Sequence, residues 1–128
     1  MLNHKTFYVA FSGGSVVKAL AAGLLRPEIR DRIDWAHVEV FLADERCVPL
    51  DHPDSNFCAL KVALFDKVPI PPSSLHAIDT SLLHSAAACA SKYEQIVLQT
   101  VLQRTEQKEA VSDERQQGRD RYNAVPVF

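Results

Sequence analysis

A chain of 128 residues, 47% hydrophobic and 23% charged, carries enough apolar material for one modest domain with a single buried core. Its 14 Lys and Arg against 16 Asp and Glu give a formal net charge of -2, which argues against the basic face of a nucleic-acid binder. No apolar run approaches the ~20 residues of a membrane helix, and the polar opening from Met1 to Lys5 has no signal-peptide pattern.

Phe7 to Phe11 is a short apolar, aromatic run that reads as a buried strand. Ser12, Gly13, Gly14 and Ser15 interrupt it. Val16, Leu20 and Leu24 then recur every fourth residue, so a helix is expected from near Ser15 to just before Pro27. Charged residues over 26–37 lead into a second strand, Val38 to Ala43. Strand, helix and strand in this order, with short connections, make a parallel crossover unit.

A turn-rich loop, Asp51 to Asn56, precedes a helix marked by Phe57, Leu60 and Leu64, with Asp54 or Ser55 as its N-cap. Pro69, Pro71 and Pro72 break that helix, and Leu75 to Ile78 is expected as a third short strand. Leu83, Ala86, Ala90, Tyr93, Val97 and Val101 trace one face of a longer helix. The polar run over 104–123 reads as a variable charged surface loop. Val125 to Phe128 has the look of a strand opening, and the domain over 1–128 is expected to be incomplete at both ends.

Three cysteines, Cys47, Cys58 and Cys89, without a Cys-x-x-Cys pair argue against a disulfide framework or a zinc ribbon. Free thiols in a reducing compartment, the cytoplasm, are the expectation. The histidines are His4, His37, His52, His76 and His84, and none has the spacing of a helical metal pair or of a nucleophile motif. His52 alone lies near the charged strand end, and it reads first as a surface loop residue.

Two segments could carry chemistry. Paired glycines at 13 and 14 let the backbone take positive φ and approach a ligand closely. The helix that follows offers unpaired amides and the positive end of its dipole, and Ser12 and Ser15 add hydroxyls. These make either a phosphate cradle or a tight strand-to-helix turn without a ligand. There is no Gly-x-Gly-x-x-Gly and no Walker lysine, which disfavours dinucleotides and ATP-type nucleotides.

The second segment is Asp44, Glu45 and Arg46, at the carboxyl end of the second strand. Open α/β sheets bind ligands outside that edge. Arg46 could face an anion held by Ser12 to Ser15, and Asp44 could act on a substrate hydroxyl or orient a base. The alternative is a solvated turn with an Asp–Arg ion pair. The same tripeptide at 113–115 has only the latter reading, because no strand feeds it.

Phe11 to Ser15, Trp35, Asp44 to Pro49 and Asp51 to Phe57, in this order and spacing, resemble the 6-phosphogluconolactonase family. The similarity runs from about Phe7 to Tyr93. The resemblance implies a three-layer, mostly parallel Rossmann-like α/β sheet with helices on both faces, at least three of its strands lying in this stretch. It implies hydrolysis of 6-phosphoglucono-δ-lactone to 6-phosphogluconate in the oxidative pentose phosphate pathway, by a monomer without metal or organic cofactor. Ser12, Gly13, Gly14, Ser15 and Arg46 would hold the sugar phosphate, and Asp44 would support the reacting end. The partner would be the sugar-phosphate lactone, not nucleic acid or membrane.

The family's general base is a histidine in a Gly-x-Asp-Gly-His block, which this sequence does not contain, and a later phosphate-binding lysine is also missing. The chain is therefore expected to have an incomplete catalytic pocket. Two other readings stay open: a glucosamine-6-phosphate deaminase-like enzyme and a non-catalytic sugar-phosphate-sensing module. The deaminases tend to Ala-Thr-Gly-Ser at the turn and Asp-Glu-Tyr at the strand end, so Ser12 to Ser15 and Arg46 lean towards the lactonase.

Overall fold

Two short parallel strands make up the sheet among the described residues. The computed structural model describes residues 5–112, with side chains to residue 103. β1, Phe7–Phe11, pairs in parallel with β2, Val38–Leu42, in a register that sets Phe7 beside Val38 and Phe11 beside Leu42. The crossover between them is α1, Ser15–Leu24, followed by the single turn α2, Pro27–Arg30, and a 3-10 turn at Trp35–His37. Pro27 sits at the first position of α2, where its missing N–H costs nothing. This is the expected strand–helix–strand unit.

Every residue of β2 is buried, so both faces of this strand are covered. β1 differs from the expected buried strand. Only Phe11 is buried, and Phe7 is 63% exposed, because β1 has a partner strand on one side only among the described residues. In α1 the buried residues are Val17 and Ala21, whereas Val16 and Leu20, which marked the helix in the sequence, lie exposed. The helix forms where expected and presents the adjacent stripe to the core.

α3, Asn56–Ala63, has Ser55 as N-cap, whose hydroxyl accepts from the Cys58 amide. Leu60 and Leu64 anchor it in the core. α4, Ala86–Ser112, is longer than the sequence suggested. Residues 104–112, read as loop, are helical. Their Glu, Gln, Lys, Arg and Ala residues are good helix formers, and a stretch so poor in apolar residues carries no apolar period in its sequence to betray a helix. The remainder of that expected loop, the second Asp-Glu-Arg and Val125 to Phe128 lie outside the described residues. The α4 face against the core is Cys89, Tyr93 and Val97, with Val101 partly buried, while Ala86 and Ala90 are exposed.

The expected third strand is reduced to a single parallel bridge between Val40 and Leu75, so the described residues hold two strands and not three. The His76 amide donates to the Val40 carbonyl at 3.0 Å. An unbroken parallel ladder would next link the Leu42 amide to the His76 carbonyl. The Tyr93 hydroxyl takes that place: it accepts from the Leu42 amide at 2.8 Å and donates to the His76 carbonyl at 2.6 Å. A side chain from α4 thus ends the ladder after one rung. Burial, the largest cause, holds the Tyr93 phenol well above its ordinary value, which suits a hydroxyl used as donor and acceptor.

The opposite end of β2 buries a carboxylate. Glu39 is 2% exposed and lies 2.6 Å from His76 Nε2, and the His76 ring stacks on Phe41 at 4.8 Å between centroids. This pair fixes the 75–76 segment against β2 but lies at the other end of the strand from the loops that leave its carboxyl edge.

Candidate functional site

Parallel pairing brings two loops to one rim. Phe11 and Leu42 are register partners, and the Ala43 amide extends the ladder by donating to the Phe11 carbonyl at 2.7 Å. Ser12 to Gly14 and Ala43 to Arg46 therefore leave the sheet side by side, at its carboxyl edge. The Ser12 hydroxyl donates to Asp44 Oδ1 at 3.1 Å, linking the two loops directly.

Asn56, at the first turn of α3, joins them a second time. Its Nδ2 donates to the Asp44 carbonyl at 3.0 Å, and the same carboxamide occupies the space where a Cβ on Gly13 would stand. Gly13 is thus required by close approach. Gly14 is required by backbone conformation instead: φ is 75° and ψ is −148°, while nothing lies near the position of its absent Cβ. Gly14 is the N-cap of α1 and offers no side-chain cap, so the opening amides of the helix meet no capping side chain. Ser15, the first residue of α1, is exposed.

Glu45 organises the loop from within. Its Oε1 accepts from the amides of Asn56 at 2.6 Å and Arg46 at 2.8 Å. Its Oε2 accepts from the Phe57 amide and the Ser55 hydroxyl, each at 3.0 Å. A carboxylate on the opening amides of α3 completes a helix N-terminus and gains from the helix dipole. Asp44 and Arg46, on either side, are exposed. Among the described residues the Arg46 guanidinium enters no ion pair, so the expected alternative of an Asp44–Arg46 pair does not form.

The six residues singled out in the sequence thus lie on one rim, with Ser12, Gly13 and Asp44 in mutual contact through Asn56 and the Ser12–Asp44 bond. His52 is occupied locally: its Nδ1 accepts from the Asp54 amide at 2.9 Å, holding the turn before α3. Glu45 and Asn56 are the residues that sequence reasoning left without a role. Glu45 stands ten to twelve positions ahead of its partners at the start of α3, outside the three-residue spacing of a capping box, so no local pattern announces it. A shallow groove lined by Leu50, Phe57, Cys58, Lys61 and Val62 lies elsewhere and shares no residue with the rim. Among the described residues no three His, Cys, Asp or Glu side chains gather as a metal site would need.

The arrangement can hold an anion at the start of α1, with a guanidinium and a carboxylate on the neighbouring loop. Known proteins resemble this chain in sequence and in fold. A probable 6-phosphogluconolactonase 3, chloroplastic, of Oryza sativa subsp. indica is 43% identical over 95 residues, covering 74% of this chain and 28% of that protein. The 6-phosphogluconolactonase 3, chloroplastic, of Arabidopsis thaliana is 44% identical over 88 residues, covering 69% and 26%. This chain therefore spans between a quarter and a third of the length of these relatives.

Among solved structures, 6-phosphogluconolactonase from Thermotoga maritima superposes with a TM-score of 0.60 at 31% identity, over 76% of this chain and 42% of that one. The Leishmania guyanensis enzyme of the same name gives 0.62 at 30% identity, over 73% and 39%. The family described as glucosamine-6-phosphate isomerases/6-phosphogluconolactonase matches residues 1–114, and the chain belongs to it.

Proposed function

We propose that these residues form the phosphate-gripping part of an enzyme that hydrolyses 6-phosphoglucono-δ-lactone to 6-phosphogluconate, within the oxidative pentose phosphate pathway. The observation that carries this reading is the junction of the two loops, Ser12 to Asp44, beside an uncapped helix start. The amides that open α1 at Gly14 and Ser15 receive the phosphate oxygens, with the Ser15 hydroxyl as a further donor. Arg46, exposed and without an ion pair among the described residues, supplies the guanidinium. Gly13 brings the backbone close, and Ser12 holds the Asp44 carboxylate towards the sugar end.

Lactone opening needs a base to activate water against the carbonyl and donors for the oxyanion. Asp44 supports that step. The histidine base implied by the resemblance comes from outside these 128 residues. The reaction asks for no metal or organic cofactor. The whole protein is proposed as a cytoplasmic monomer with a three-layer, mostly parallel sheet, of which β1 and β2 form part. Two relatives are named chloroplastic, so compartment is a property to measure for each member. Among the described residues no helix is long and apolar enough to cross a membrane.

The family description also names glucosamine-6-phosphate isomerases, but the relatives described above are named as lactonases. The test is direct. The full-length protein carrying these residues should accelerate loss of freshly generated 6-phosphoglucono-δ-lactone well above its spontaneous opening, and should leave glucosamine 6-phosphate untouched. Release of ammonia from glucosamine 6-phosphate without lactone turnover would replace this reading with the deaminase one. The 128-residue chain alone should bind 6-phosphogluconate without turning over the lactone.

A further inference from the structure

The residue that follows Arg46 faces a second thiol. Cys47 Sγ lies 3.7 Å from Cys89 Sγ, although the two residues are 42 positions apart. Cys47 is half-buried, on the loop beyond β2, and Cys89 is buried in the first turns of α4. Among the described residues their other hydrogen-bond partners are carbonyls: Leu83 for Cys47 at 3.5 Å, and Leu82 and Asp79 for Cys89 at 3.4 and 3.6 Å. Thiols are weak donors, so these contacts are easily given up. Cys58, on α3, takes no part in this cluster.

We propose that Cys47 and Cys89 form a modification site that a low-molecular-weight disulfide, such as oxidised glutathione, converts to an intramolecular disulfide joining the Arg46 loop to α4. A sulfur–sulfur bond of about 2.05 Å asks the pair to approach by ~1.7 Å. Rotation about the side chain of Cys47, on a loop, supplies that movement more readily than any shift in α4.

The chemistry runs in two exchanges. The Cys47 thiolate attacks one sulfur of glutathione disulfide, forms a mixed disulfide and expels one glutathione thiolate. Cys89 then attacks Cys47 Sγ, giving its proton to the expelled thiolate, and the second glutathione leaves as a thiolate that takes up the proton Cys47 had released to solvent. Two protein thiols lose two electrons and two protons, and one glutathione disulfide becomes two glutathione thiols. The division of roles follows from burial. Cys89 is shielded and its thiol is held above the ordinary value, first by burial and then by its contact with Cys47. The more accessible Cys47 therefore meets the external disulfide, and Cys89 resolves the adduct.

This chemistry stands apart from the proposed lactonase activity and is tested without it. The 128-residue chain carrying Cys58→Ser is equilibrated with mixtures of reduced and oxidised glutathione, quenched with N-ethylmaleimide and weighed intact. The expected result is loss of both alkylatable thiols together, with a mass lower by two hydrogens. Dithiothreitol should restore both thiols, and proteolysis should yield a peptide pair linked through Cys47 and Cys89. Cys47→Ser and Cys89→Ser, each made in the Cys58→Ser background, should abolish the intramolecular product. Persistence of two alkylated thiols in the most oxidising mixture would overturn the proposal. So would a glutathione adduct on Cys47 that never closes, or a disulfide that links two chains.

Discussion

The carboxamide of Asn56 fills the volume that a side chain on Gly13 would need, and it hydrogen-bonds the Asp44 carbonyl at 3.0 Å. One side chain thus reads the absence of another and ties that absence to the neighbouring loop. Gly13→Ala forces the Cβ against Asn56, and neither the turn nor the start of α3 can yield without breaking the bond to Asp44. The expected cost is about 1–3 kcal/mol of unfolding free energy. Asn56→Ala opens the space, so Gly13→Ala should cost markedly less in that background. Chemical denaturation of the four-member cycle checks this: strictly additive effects would deny the contact its role.

Glu45 should matter more to the fold than either of its exposed neighbours. Its carboxylate meets the amides of Arg46, Asn56 and Phe57 and the Ser55 hydroxyl, so Glu45→Ala strips the N-terminus of α3 of its acceptor. A loss of roughly 1.5–3 kcal/mol is expected, the range for hydrogen bonds to a charged group. Glu45→Gln keeps one acceptor oxygen and should lose less. Amide exchange at Asn56 and Phe57 should accelerate in both variants; unchanged exchange in Glu45→Ala would show that the cap contributes nothing.

The Tyr93 hydroxyl gives a prediction with a pH signature. Tyr93→Phe leaves the Leu42 amide and the His76 carbonyl facing a gap, at a cost of about 1–3 kcal/mol. In the native protein the folded phenol ionises above its ordinary value, so it holds its proton where the unfolded chain has released it. The stability it contributes is complete below the unfolded value near pH 10 and is lost as pH rises beyond it. Denaturant midpoints measured between about pH 8 and pH 11 should fall more steeply for the native chain than for Tyr93→Phe. Parallel curves would refute the assignment.

Some of this was legible in the letters and some was not, for physical reasons. β1 and α1 were readable because Gly13, Gly14 and Pro27 punctuate them, and β2 because an apolar run gives way to the charged Asp44, Glu45 and Arg46. The buried face of α1 was not, since Val16 and Leu20 satisfy the helical period as well as Val17 and Ala21 do, and only packing chooses between adjacent stripes. The third strand was over-read because Leu75 to Ile78 has the right composition, while the hydroxyl that ends its pairing arrives from a residue 51 positions from Leu42. The shared rim of Ser12 and Asp44 could be inferred, because parallel strands carry their following loops to the same edge. The network beneath it, Glu45 with Ser55 and Asn56, depends on how a loop closes, which no periodicity encodes.

Arg46 separates recognition from stability. Its guanidinium is exposed and enters no ion pair among the described residues, so Arg46→Ala should leave stability within about 0.5 kcal/mol of the native value. If it meets the phosphate beside the start of α1, its removal discards a charge-assisted contact of roughly 1.5–3 kcal/mol, about a ten- to hundredfold loss of affinity for 6-phosphogluconate. Arg46→Lys keeps the charge but not the planar fork, and should recover only part of that loss. Calorimetric titration at two ionic strengths adds a second handle, because the native affinity should fall with salt more steeply than that of Arg46→Ala. Equal affinities for the native protein and Arg46→Ala, with equal salt slopes, would leave phosphate recognition to the helix start alone.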